Sequence, residues 1–421
     1  MGDLGANFKR AKLAWYTVDN SVFYTSVGNR RPKNLTEEDL ENHYERIVYP
    51  QEIHQQQDRT MITTNENILD IAYFPSERGP YNYSPNLDAD GLLPNPEENW
   101  GGITNHINNE VDFDKTNIEF IEFWMMDPFI GFADGNPKGR VLDGRFNEHN
   151  TSGGSLIFNL GSVSEDYMKD GRHAFENGLP ADGDLTNALA TEWGYITKEQ
   201  FLTNQFENSI GSRDNQDVGL DGLKNELEVA YFQSYIDQLN VSGLAREEIL
   251  ADPSGDNFKY YLDNEYDEKN AKVVERYKSY NGQEGNSPVT SSDFSEGNSP
   301  APDNEDISRD NTVSNLEEYY EYKIDLKPGN LEVGNGHIVD QVFGKDGEAK
   351  WYLFRVPLKN PDKIVGDIEG FKSMQFVRMY LTNFSQPVVL RLSSFRLIAV
   401  SYTHLRAHET LRYLVCRLLL E

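Results

Sequence analysis

Asp306, Ser308, Asp310, Thr312 and Ser314 stand at alternate positions, and Glu317 follows three residues later. Alternating hard oxygen donors suit a divalent cation. An EF-hand-type loop offers oxygens at positions 1, 3, 5, 7, 9 and 12, the seventh a backbone carbonyl and the twelfth a bidentate Glu. With Asp306 as position 1, Thr312 gives the carbonyl and Val313 is the apolar anchor at position 8. Asn311 takes position 6, where the backbone turns left-handed; Asn tolerates that second only to Gly. "LEEYYEY" (316–322) then reads as an exiting helix, and no entering helix precedes the loop. This pattern predicts a structural Ca2+ site with a dissociation constant on the order of 10⁻⁴–10⁻³ M, the range of extracellular modules.

A second stretch, "DVGLDGLKNELE" (217–228), repeats the spacing with Asp217, Asp221, Leu223 (carbonyl), Asn225 and Glu228. Gly219 leaves position 3 to a water. A third, "NLDADGLLPNPE" (86–97), aligns Asn86, Asp88, Asp90, Gly91 and Glu97, but Pro94 and Pro96 forbid a helix inside it. Acidic turns that cap helices without metal produce the same spacings, so both readings stand.

The chain carries 69 acidic against 39 basic residues, a net charge of −30. Such a surface repels nucleic-acid phosphates, and no basic cluster offsets it, so nucleic acid is not an expected partner. The single cysteine, Cys416, excludes a disulfide framework. The sequence contains no H-E-x-x-H, C-x-x-C, P-loop or G-x-S-x-G motif, and its carboxylates are too many to single out a hydrolytic pair. A non-enzyme is expected. Trp100, followed by two glycines, is a candidate sugar-stacking residue, as are the tyrosines of "PYNYSP" (80–85). Trp124, inside a strongly apolar strand, reads as core.

Strand signals cluster towards both ends: 12–19, 68–75, 118–130 and 154–164, then 351–359, 374–384 and 388–400. "NFSQP" (383–387) reads as a hairpin turn. Helical patterns lie at 35–48, with Thr36 as N-cap and Asp39 completing a capping box, and at 197–208, 225–239 and 270–280. "NGQEGNSPVTSSDFSEGNSPAPDN" (281–304) reads as a Gly/Ser/Pro-rich linker. These elements predict a mainly β fold: a jelly-roll or galactose-binding-like β-sandwich taking strands from both chain ends (8–164 and 345–400), with a helical and loop insertion over 165–344. The terminal "SYTHLRAHETLRYLVCRLLLE" (401–421) resembles translated adapter sequence and is set aside as non-native.

The phrases "ERGPYNYSPNLDADG" (77–91), "VDFDKTNIEFIEFWMMDPF" (111–129), "NLGSVSEDYMKDGRHAFENGLPADGDL" (159–185), "NQDVGLDGLKNE" (215–226) and "IEGFKSMQFVRMYLTNFSQPVVLRL" (368–392) closely resemble the SprA family of gliding-motility and type IX secretion proteins. The likeness runs through residues 8–398. It implies an internal piece of a much longer outer-membrane protein whose large β-barrel exports folded cargo, working with plug and accessory secretion proteins. Few of the alternating strands of about ten residues that barrel staves need occur here. The expectation is therefore a non-catalytic sandwich module of the translocon at the cell surface. An extracellular carbohydrate-binding sandwich is the alternative.

Overall fold

The computed structural model describes residues 3–24, 31–55, 65–108, 111–198, 205–287, 297–299, 301–344 and 347–400. Thirteen strands are formed among them: β1 (Ala11–Tyr16), β2 (Ile68–Arg78), β3 (Trp100–His106), β4 (Ile118–Met126), β5 (Gly154–Ser162), β6 (Ala188–Ala190), β7 (Tyr195–Thr197), β8 (Glu318–Leu326), β9 (Ile338–Phe343), β10 (Lys350–Pro357), β11 (Lys363–Val365), β12 (Phe376–Thr382) and β13 (Val388–Ala399). Six make one antiparallel sheet in the order β1-β2-β13-β4-β10-β9, and five make a second, β11-β8-β5-β12-β3; β6 and β7 form a separate hairpin. The fold is a single mainly β sandwich with strands from both ends of the chain, as the sequence suggests.

The sheets close on an aromatic seam. Phe123 stacks on Phe354 with ring centroids 5.2 Å apart and meets Phe158 of the facing sheet at 5.6 Å. Strand β5, "GSLIFNLGS", is buried along its whole length, as a near-continuous apolar run in a central strand should be. The six-stranded sheet is covered on its other face too. Ala72, Phe74, Trp124 and Trp351 pack there against Phe23, Leu40, Tyr44 and Tyr277. A buried ion pair pins this layer: Arg391 Nε donates to Asp70 Oδ1 at 2.7 Å, and its Nη1 donates to the carbonyls of His43 and Arg46.

Several local expectations change. Thr36 and Asp39 do exchange capping hydrogen bonds (2.9 and 3.2 Å), yet only a 3-10 turn, Asp39–Glu41, follows. Beyond that turn the carbonyls of His43 and Arg46 accept from Arg391. The 316–322 stretch is not a helix but the start of β8. Tyr320, Tyr322, Ile324 and Leu326 are buried while Lys323 and Asp325 are exposed, a period of two that wins over helix propensity. "NFSQP" is no hairpin, since β12 and β13 lie in different sheets; buried Phe384 makes the corner. With β8 and β9 in the sheets, the insertion ends near Glu317, well before residue 344. Parts of the 197–208 helix and the 281–304 linker, and all of 401–421, fall outside the described residues.

Candidate metal centre

The 217–228 stretch folds as a tight loop feeding a helix. Gly219 (φ 64°) and Gly222 (φ 63°) are both left-handed, and neither has room for a side chain. A Cβ on Gly219 would lie 2.2 Å from Asp256 Oδ2 and 2.9 Å from Glu284 Oε2; one on Gly222 would lie 2.2 Å from the Tyr195 carbonyl. The helix Asn225–Tyr231 begins immediately after, so Asn225 and Glu228, three apart, share its first-turn face above the loop.

A third segment arrives from "DPSGDN" (252–257). Asp252 accepts the amides of Gly255 (2.7 Å), Asp256 (3.1 Å) and Asn257 (3.3 Å), an Asx turn that throws Ser254 and Asp256 inward. The Ser254 amide donates to Glu228 Oε2 at 3.0 Å, and its hydroxyl donates to Asp221 Oδ2. A fourth segment brings Glu284, whose backbone carbonyl accepts the Phe258 N–H at 3.0 Å.

Asp221, Glu228 and Asp256, all buried, offer carboxylate oxygens within 4.8 Å of one another. Glu284 adds a fourth carboxylate beside Asp256. Both Asp256 oxygens and Glu284 Oε2 are sealed from solvent and accept no hydrogen bond. The Asn225 carboxamide lies 2.8 Å from Glu284 Oε1 and 3.1 Å from Glu228 Oε1, where its nitrogen donates to both glutamates and its oxygen faces the Asn257 carboxamide.

Burial above all, then its acidic neighbours, raises Asp221 and Asp256 well above the usual carboxylate range. The same causes push Glu284 up to about 10; burial, opposed by the Ser254 amide, leaves Glu228 at about 7. Such groups must take protons or share a cation. All the donors are oxygens, with no imidazole or thiolate, which is the chemistry of Ca2+ rather than of zinc.

Asp221, Asn225 and Glu228 from the expected set therefore come together. Asp217 does not join them; it faces Glu176 and accepts from Ser287 at 3.1 Å. Leu223 is buried, its N–H donating to Asp221 Oδ1 at 2.9 Å. The water expected at position 3 gives way to the carboxylates of Asp256 and Glu284. Nothing in their local sequence flags either residue, although the Asp252 turn in "DPSGDN" is legible.

The 306 loop does not converge. Asp306 accepts from Ser308 Oγ (3.2 Å) and from the amides of Asp310 (3.2 Å) and Asn311 (2.9 Å), with Asn311 left-handed at φ 69°. Asp310 turns to Thr312 N and Oγ1, and Glu165 takes the amides of Ser308 and Ser314. Glu317, meant to close the cage, instead pairs with Arg378 of β12 at 3.2 Å, because β8 extends away where a helix would have turned back. In the 86 loop, Asp88 Oδ1 is spent on the amides of Asp90 and Leu92.

Among the aromatic positions, Tyr81 and Tyr83 are buried and serve the acid core. Tyr81 Oη accepts the Leu220 N–H at 2.8 Å, and the Tyr83 hydroxyl lies 2.9 Å from Ser254 Oγ. Trp124 is in the core. Trp100 is half-buried, lies under the Arg10 guanidinium, and lines a largely apolar cleft of about 1100 Å³ between the sandwich edge and the insertion.

Residues 232–410 match a family model, SprA_N, described as a motility related/secretion protein. The matched span holds Asp256 and Glu284 but begins after Asp221, Asn225 and Glu228. No curated protein matches the chain. Over that span, which takes in the second half of the insertion and strands β8 to β13, the chain is similar to the SprA_N family of motility and secretion proteins.

Proposed function

We propose that this protein is a non-catalytic structural module of an outer-membrane protein translocon serving type IX secretion and gliding motility. It sits at the cell surface beside the translocon barrel, with plug and accessory secretion proteins as neighbours, and secreted cargo passes along its acidic exterior. A structural Ca2+ ion braces the long insertion.

The observation that carries the reading is the burial of Asp221, Glu228, Asp256 and Glu284 where distant segments cross. Carboxylates closed off from solvent cannot reach a substrate, but they can clamp an ion. Tyr83 links that crossing to the rest of the insertion, stacking on Phe232 with centroids 4.3 Å apart and meeting Trp193 edge-on at 6.0 Å. Because Tyr81 and Tyr83 are buried, they give no platform for the carbohydrate-binding alternative.

The test is made in cells carrying the full-length protein with Asp221→Asn and Asp256→Asn. Loss of cargo secretion and gliding, with the barrel still assembled in the outer membrane, is the expected result. Normal secretion by a variant that no longer binds calcium would remove the bracing role.

A further inference from the structure

Beside the crossing described above lies a second set of acids that the first ion does not touch. Glu176 is fully buried. Its Oε2 accepts the Asp303 amide at 2.7 Å, while its Oε1 accepts nothing. Asp217 has the same division: Oδ2 takes the Ser287 hydroxyl at 3.1 Å and Oδ1 is bare and sealed from solvent. The two carboxylates interact directly, and burial raises both, Glu176 far above its ordinary value. Asp303 stands behind them, held by the Gln283 amide at 3.0 Å and raised to about 7, chiefly by burial. On the same connecting segment, Gln283 Oε1 and Asn286 Oδ1 are also buried without a hydrogen-bond donor.

We propose that the insertion holds a second calcium ion between Glu176 and Asp217, making the acid core a two-ion centre. This inference rests on the reading of the first site as a calcium site. Two buried carboxylates facing each other need either one shared proton or a cation between them. Several observations favour the cation. Each carboxylate keeps one oxygen engaged and one bare. Asp303 adds a third carboxyl group, and Arg213, whose Nη1 donates to Ser287 Oγ at 2.7 Å, attracts Asp217 from the other side of that hydroxyl. One shared proton would serve Glu176 Oε1 and Asp217 Oδ1 but leave the buried oxygens of Gln283 and Asn286 on the connecting segment without a donor, whereas a cation attracts them all.

The two ions share their scaffold. Asp217 and Asp221 lie on one loop, and Gln283 and Glu284 are adjacent, so each ion fixes backbone that presents ligands to the other. Binding is then cooperative.

Native mass spectrometry of the chain with calcium counts the ions, and calorimetry reports the affinities. The wild type is expected to hold two. Glu176→Gln, which keeps an acceptor for the Asp303 amide, and Asp217→Asn should each hold one; Asp256→Asn should also hold one or, if coupling is strong, none at tenfold higher calcium. A wild type holding one ion, with Glu176→Gln unchanged, overturns the second site and leaves the first standing. A wild type holding none overturns both readings.

Discussion

The sharpest perturbation of the acid core is Asp256→Asn. It keeps the shape of a side chain whose two oxygens have no hydrogen-bond donor. With a dissociation constant on the order of 10⁻⁴ M, 10 mM calcium stabilises the folded wild type by RT ln(1 + 100), about 3 kcal/mol per ion. Unfolding entropy near 2.1 cal/mol/K per residue makes 1 kcal/mol worth roughly 1 °C in a chain of this length. Differential scanning calorimetry at pH 8 should therefore show the wild-type melting temperature rising by about 3 °C per ion when chelator is replaced by calcium. In Asp256→Asn most of that rise should vanish. In chelator, however, the variant should melt no lower than the wild type, because one of several mutually repelling buried acids has gone. The order of the two proteins thus inverts between buffers. If the variant keeps the full calcium response, or loses the same amount in both buffers, the carboxylates are ordinary packing and not ligands.

Other outcomes follow from neighbouring groups. In chelator, stability should fall as pH rises from 5 to 8: Glu228 holds its proton up to about 7 when folded but only to 4.5 when unfolded, so the folded state binds more protons across that window. The loss from this group is on the order of 3 kcal/mol, and calcium should abolish it; a pH-independent melting temperature in chelator would contradict the assignment. Asp306→Ala should lower stability by about 1–2 kcal/mol through its lost turn yet leave the calcium response intact, so a lost response would restore the 306 loop as a site. Glu305→Ala removes the acceptor of the Tyr167, Met168 and Ala174 amides, each at 2.7 Å, and should cost roughly 3 kcal/mol or more in denaturant titration. Asp70→Ala strands the buried Arg391 and should cost about 3–5 kcal/mol; a loss below 1 kcal/mol would mean water reaches the guanidinium.

The sandwich was legible because its central strands carry their burial in their own sequence. The apolar run of β5 and the alternation of β10 need no distant partner to be read. β8 was misread because acidic loop spacing before it suggested a helix after it, although the Tyr320, Tyr322, Ile324 and Leu326 alternation was present. The candidate metal centre was half visible. Asp221, Asn225 and Glu228 lie within one loop-helix unit, where spacing along the chain becomes spacing in space. Asp256 and Glu284 approach from further along the chain, and only the fold brings them near. The 306 loop had the better local spacing, yet a cage also requires its last ligand to turn back, and Arg378 on β12 draws Glu317 away.

Ser162, the last residue of β5, is the direct register partner of Glu318, the first of β8. The whole excursion over residues 163–317 therefore leaves and returns at one spot. Cutting it out and joining the ends with a two-residue turn would leave an ordinary β-hairpin but would strip Val273, Val274 and Tyr277 from the outer face of the six-stranded sheet, so the excursion is a lid welded to the scaffold and only its surface loops are open to being lengthened or trimmed.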